Sequence, residues 1–376
     1  MRVLWNELKK ILTWKMLVFL IFINSVLYFL LIEFDIKYFP NGLDDSSSYT
    51  IGIEMIDKYG ITMDEDEFID FKKTYSDLVE EADHYLQSRE EFVNEGLESY
   101  EKFQSYDWWN SPEKISKLHD DLFFHQSVNL FWELQEREQL LSFFEYKEII
   151  TDEFNKQQKK RWEEFIEQEK FGVYTDVAIK NFKTFIANVG IAILFSVVLV
   201  ISPTILKDRS RQLVPLQYTT KKGRNLFKTK ILAGVIATFI VITASLSVYL
   251  SLYSLNNTSM FFDVRVNTFI GNVSWFDPTF FQFILLCIAG IYTIGLVFAL
   301  LSMAFSSLVP NMVSLIGIQI PFVVGFLIVG LYPLLPEMIS IWNPKWLSLI
   351  SYCAMIIIVI IFTAILWKRE KKLDIL

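Results

Sequence analysis

Eight basic side chains crowd the stretch Lys207–Lys230, KDRSRQLVPLQYTTKKGRNLFKTK: Lys207, Arg209, Arg211, Lys221, Lys222, Arg224, Lys228 and Lys230, with Asp208 the only acid. Such a stretch can hold anionic lipid or a partner surface, and it stays on the cytoplasmic side because moving its charges through a bilayer is costly. Charge alone would serve topology. The apolar cluster Leu213, Val214, Leu216 and Tyr218, with Pro215 inside it, adds a surface that could dock on the membrane or on another protein.

Other chemistry is thinly represented. His84, His119 and His125 are the only histidines, and His119-Asp120-Asp121 with His125 offers metal-ligand types. Offsets of one, two and six do not bring all four to one helix face, and no HExxH motif occurs, so they read as surface histidines. Glu80-Glu81, Glu90-Glu91 and Glu163-Glu164 read as a solvated acidic face rather than a catalytic pair. No GxxxxGK[ST] phosphate loop occurs, so ATP binding of that kind is not expected of this chain.

The elements that carry these groups follow from hydropathy. The chain has 376 residues, is 52% hydrophobic with mean hydropathy +0.34, and is 21% charged, so its charge must be segregated. Residues 34–181 hold 35 of the 43 acids and 16 of the 35 bases, a net of −19, whereas the remainder nets +11. Six charge-free runs, Met16–Ile32, Phe185–Leu206, Ile231–Leu252, Phe280–Phe305, Val309–Leu331 and Leu347–Trp367, approach the ~20 residues a helix needs to cross hydrocarbon. A basic start and an apolar run also fit a signal peptide. No small-x-small cleavage site follows, so Met16–Ile32 reads as a retained first span.

Residues 2–15 place Leu4, Trp5, Leu8, Ile11 and Leu12 at helical spacing opposite Lys9 and Lys10, an amphipathic interfacial helix, with Trp5 and Trp14 in the headgroup belt. Asp64–Phe103 reads as one long amphipathic helix and residues 113–170 as further helix, begun by Asn110 or Ser111 as N-cap before Pro112. The expected domain is a helical hairpin or small bundle with an irregular lead-in at 35–63. Its aromatic residues form a helix–helix core, or else Trp108 and Trp109 offer an apolar surface to a ligand. Ser306-Ser307-Leu308 reads as a tight hairpin, residues 253–279 and 332–346 as outer loops, and Gly317, Pro321, Gly325 and Gly330 as sites of close packing or a kink. The fold class is thus an all-α polytopic membrane protein: an interfacial helix and first span at 1–33, an acidic extracellular helical domain at 34–181, and a five-helix region at 182–376.

Leu216-Gln217-Tyr218-Thr219-Thr220-Lys221-Lys222-Gly223-Arg224, followed by Lys228, Lys230 and a span, resembles the first cytoplasmic loop of type-2 ABC-transporter permeases. Glu7-Leu8-Lys9-Lys10 ahead of the first span is also similar to that family. Asp208 fits the acid many members carry early in the loop. Their early glycine is missing, and Thr219-Thr220-Lys221-Lys222-Gly223-Arg224 stands where Thr-Pro-x-Ser-Arg is common. The resemblance covers the N-terminus and residues from about 180 onward. It implies that the loop at 207–230 carries a coupling helix, with Leu213, Leu216, Gln217, Tyr218, Thr219 and Arg224 meeting a separate ABC ATPase subunit. It further implies pairing with a second permease, the same chain or a similar one, and no cofactor here, ATP and magnesium being held by the partner. The function so implied is export of an amphipathic or peptide-like substrate across a bacterial plasma membrane, with both termini cytoplasmic, contact with membrane lipid and no nucleic acid. The absence of ionisable residues in the six runs agrees, since ion-driven transporters need such groups at depth. The competing class is a receptor or antimicrobial-peptide immunity protein whose acidic outer domain attracts a cationic ligand.

This layout predicts the labelling of single cysteines in a chain lacking Cys287 and Cys353. Cysteines at Ser88 and Ser274 should react in intact cells, and those at Thr220 and near Lys371 only after permeabilisation. Outside labelling at Thr220 would overturn the layout.

Overall fold

The computed structural model describes residues 2–125, 128–145, 154–167, 173–210, 223 and 226–372. Its longer helices, with Glu113–Asp120 included for its cap, are α1 (Arg2–Ile11), α2 (Trp14–Leu27), α3 (Gly42–Tyr59), α4 (Glu65–Gln87), α5 (Glu113–Asp120), α6 (Asn129–Glu145) and α7 (Lys156–Glu167). They continue with α8 (Val177–Ile201), α9 (Pro203–Ser210), α10 (Leu226–Tyr253), α11 (Phe280–Leu308), α12 (Met312–Val329) and α13 (Leu347–Lys372). Among the described residues there is no strand, only isolated bridges pairing Tyr174 with Phe269 and Arg265 with Thr279. Six helical stretches are long and apolar enough to cross a membrane: 14–37, 177–208, 226–256, 280–308, 312–329 and 347–371. The chain divides into two compact units, one of residues 1–38, 181–256 and 282–376, the other of residues 39–180 and 257–281.

In the first unit the second span is the central element. Val189, Ala192, Ile193, Leu194 and Val197 of α8 are all almost wholly buried, whereas Ile21, Phe22, Leu30, Ile357 and Ile358 of the first and last spans are exposed. Apolar exposure of this kind suits hydrocarbon, which rewards no burial of one alkyl group against another. What ties spans together there is polar contact, and α8 supplies one side of most of it. Asn24 Nδ2 donates to Ser196 Oγ at 2.8 Å, and Tyr249 Oη donates to Asn24 Oδ1 at 2.8 Å, so three spans share one knot. Towards one end, the first span passes through a π-type turn at Tyr28–Ile32. Asn188 Nδ2 donates both to the Leu31 carbonyl and to Asp35 Oδ2, while Asn181 and Asn256 donate to the Asp35 carbonyl. Lys183 pairs with Glu337 at 2.9 Å. The spans therefore run past the charge-free cores expected from the sequence and carry charges at their ends.

Several local expectations change. Helix α11 runs on through Ser306-Ser307-Leu308, both serines buried, and the chain turns at 309–311, where Asn311 caps α12 by accepting from the Ser314 amide. A Cβ on Gly317 or Gly325 would meet nothing, so neither packs closely within this chain.

In the second unit the segment expected to be irregular contains an 18-residue helix, α3. It forms because Ser48, Ile51, Gly52 and Met55 make one buried face. Gly52 is required there, since a Cβ would stand 2.5 Å from Thr175 Oγ1 and 3.2 Å from the Phe261 ring. The long helix expected over Asp64–Phe103 begins as read, with Asp64 and Glu67 forming a reciprocal capping box, but stops at Gln87. Short turns follow, helped by Gly96 at φ +74. They fold Phe92, Leu97, Tyr100 and Phe103 against Ala82, Leu86, Phe123, Phe131 and Leu134 in an aromatic core. Helix α5 is preceded by Pro112 rather than by a side-chain cap. Ser111 Oγ donates to the Trp108 carbonyl and Asn110 Nδ2 to Asp107 Oδ2, so neither reaches the helix. Residues 257–281, which include most of the outer loop read at 253–279, belong to this unit. Phe261, Val264, Phe269 and Phe280 are buried, and Tyr174 exchanges backbone hydrogen bonds with Thr268 and Ile270. Ser274 is 1% exposed, so Ser259 replaces it as the position for labelling.

Helix α6 packs on α3 and α4 with Arg137 and Glu136 among its charged contacts. Arg137, fully buried, lies over the Phe71 ring and pairs with Glu54 and with Glu133, the latter at 2.7 Å. Glu136 faces a cleft of about 610 Å³ that also holds Asp44, Asp45, Asp176 and Lys180. Burial first, then the hydrogen bond to Asp44 and its charge, push the Glu136 carboxyl up to about 8, against a Ser48 hydrogen bond that lowers it. The proton is held more tightly in the folded chain than in the unfolded one. The stability this group contributes is therefore full below pH 4.5 and lost as pH rises through about 8. Thermal unfolding of the full chain in detergent should weaken across that window, and Glu136→Gln should flatten the slope. Equal slopes in both proteins would refute the shared proton.

Candidate functional site

The residues expected to meet an ATPase, Leu213, Leu216, Gln217, Tyr218, Thr219 and Arg224, lie outside the described residues, as does Thr220. What the structure gives is both flanks of their loop. Helix α9 leads in and α10 leads out, with Gly223 between them at φ +48, a left-handed conformation that suits glycine.

The two flanks are joined by charge. Asp208 Oδ2 lies 2.7 Å from Lys230 Nζ, and both side chains are only 7% exposed. Lys10 Nζ stands 3.8 Å from the same carboxylate and 2.6 Å from Glu7 Oε1, with Glu7 also buried. Acid and base thus alternate across α1, α9 and α10, and each buried charge faces an opposite one. That is the condition under which ions can leave water without a large penalty. Helix α1 is laid along α10, burying Glu7 and Ile11 and leaving Trp5 exposed beneath Lys9. Lys228 sits over the Trp367 ring at 3.9 Å and Lys371 over the same ring at 4.1 Å, so the last span joins the same end of the bundle.

Four of the eight loop cations therefore belong to helices, Lys207 and Arg209 to α9 and two more to α10. Lys228 and Lys230 lie in α10, and Lys230 is the buried partner of the loop's single acid. The sequence carried the signal in that lone Asp208 among so many bases, but which base it would choose was not readable. Glu7, noted only in the four-residue resemblance, and Lys10 of the amphipathic helix join the same cluster.

The groups weighed for other chemistry fall elsewhere. His119 is only partly exposed. Its ring packs 4.6 Å from both Trp108 and Phe123 within the aromatic core. Trp108 belongs to that core, donating its indole N–H to the Phe103 carbonyl, while Trp109 is 97% exposed. Among the described residues no group of three or more His, Cys, Asp or Glu is placed to hold a metal ion. No family model, curated protein or solved structure matches the chain.

Removing one member of a buried ion pair costs about 3–5 kcal/mol, because the other charge is stranded. Asp208→Asn should therefore lower the thermal midpoint of the purified chain markedly, and Asp208→Asn with Lys230→Met should restore most of it. Additive losses in the double variant would mean that the two side chains are not energetically coupled.

Proposed function

We propose that this chain is the permease subunit of an ABC exporter, moving an amphipathic or peptide-like substrate across the plasma membrane with ATP hydrolysed by a separate partner. The observation that carries the reading is the tethering of both ends of one basic loop. Asp208 before it and Lys230 after it form a buried ion pair, with Lys10 of the amphipathic helix alongside. A loop serving only to keep charge on one side of a membrane needs no such tether. A loop that receives a push from a partner does, because force on its apolar residues must reach the spans rather than be lost in the chain.

In this reading the loop and both termini are cytoplasmic, and residues 34–181 lie outside. A second permease of the same or similar kind completes the pathway. Leu213, Leu216 and Tyr218 dock in a groove of the ATPase, Gln217 and Thr219 orient the docked segment, and Arg224 acts at its rim. Closure of two ATPases on ATP and magnesium displaces the loops, and the spans follow. Six helices fit to cross a membrane support the membrane setting of this reading.

Burying one apolar side chain of this size is worth ~1.5–3 kcal/mol. Leu213→Asp/Leu216→Asp should leave the chain inserted and folded yet strip the copurifying ATPase and abolish transport-linked hydrolysis. Arg224→Ala should do less, since a rim charge acts mainly on approach. ATPase recovered per permease, at matched expression, is the measurement. Full association in the double variant would show that the loop does not dock.

A further inference from the structure

The second span is one stretch of 32 residues by hydropathy, yet it is two helices, α8 ending at Ile201 and α9 beginning at Pro203. Proline has no N–H, so the Leu199 carbonyl loses its helical donor and the backbone is weakened at that step. Side chains from other spans gather at the break. Ser202 Oγ lies 2.9 Å from Gln319 Oε1 of α12 and also within reach of the Val198 carbonyl. One hydroxyl proton cannot serve two acceptors. Both contacts are satisfied when Ser202 donates to Val198 and the Gln319 amide is turned so that its Nε2 donates to Ser202. One turn further on, the Leu206 amide donates to Ser306 Oγ of α11 at 3.0 Å, both groups being buried.

The two halves of this span therefore have different polar attachments. Helix α8 is bound through Asn188 and Ser196 to the first span. Helix α9 is held at its start by Gln319 and Ser306 of the fifth and fourth spans, and at its end by Lys230 and Lys10. We infer that α9 is a lever that swings separately from α8 about Ser202–Pro203, and that the Gln319 and Ser306 contacts are the catch holding it in the arrangement seen here. Each contact is a single hydrogen bond between neutral groups. Such bonds between spans are weak enough to be exchanged, so the catch selects one of two arrangements rather than locking it. The transport reading enters only in naming what pushes α9; the swing itself is a property of this chain alone.

The test needs no ATPase. Nitroxide labels at Thr184 on α8 and Lys207 on α9, in a chain with Cys287→Ala and Cys353→Ala in lipid nanodiscs, report the angle at the break as a distance distribution. The unmodified span should give one narrow peak. Ser306→Ala with Gln319→Leu should broaden or split it. Adding Pro203→Ala, which restores the backbone donor to Leu199, should narrow it again, and this recovery separates a released hinge from a chain that has merely misfolded. A peak that stays narrow in the double variant would overturn the lever, as would breadth that Pro203→Ala leaves unchanged. Loss of ATPase docking, by contrast, would leave all three distributions as expected.

Discussion

A polar group inside hydrocarbon has no water to turn to, so it must be answered by another polar group of the protein. The bundle depends on this constraint, and the second span is where it is met. Asn181, Lys183, Asn188, Ser196, Ser202, the Leu206 amide and Asp208 lie in order along it. Between them they bond to the first span, the fifth-to-sixth connection, the third span, the fourth and the fifth. Apolar packing alone would not choose among neighbouring arrangements, because lipid tails compete for the same surfaces. A series of single polar contacts does choose.

The second unit solves a different problem. It carries a strongly negative net charge and is held by aromatic packing, with Phe103, Phe123 and Phe131 in mutual contact and Tyr100, Trp108, Trp132 and His119 around them. Large rings bury much area per ordered residue, which suits short helices that share few regular ridges. Charge enters this packing twice, at Arg137 between two glutamates and at Glu136 beside Asp44. In both cases α6 supplies the less exposed member.

The number of spans was legible because a charge-free run of about 20 residues is longer and more uniformly apolar than a helix with one solvated face can be. The helix α1 was legible from the opposition of Leu8 and Ile11 to Lys9 and Lys10. Helix α3 was not, since Asn41-Gly42 and Ser46-Ser47-Ser48 are loop-like by propensity and only burial of Ile51 and Met55 draws them into a helix. The long helix over Asp64–Phe103 failed for the converse reason: its apolar spacing persists past Gln87, but Gly96 permits a reversal that helical periodicity does not register. At the loop, Asp208, Lys230 and Lys10 gather at one end of the bundle. The pairing of Asp208 with Lys230 depends on where α10 begins, and no local pattern records that.

The second unit is assembled from two stretches of chain, residues 39–180 and 257–281, with two membrane helices made between them. A ribosome adding about 5–20 residues per second leaves the first stretch without its complement for several seconds. During that interval Gly52 has no Phe261 ring against it, and Tyr174 has no Thr268 or Ile270 to pair with. Completion of this unit thus waits on insertion of the second and third helices, which makes its maturation a record of whether the bundle has been threaded correctly.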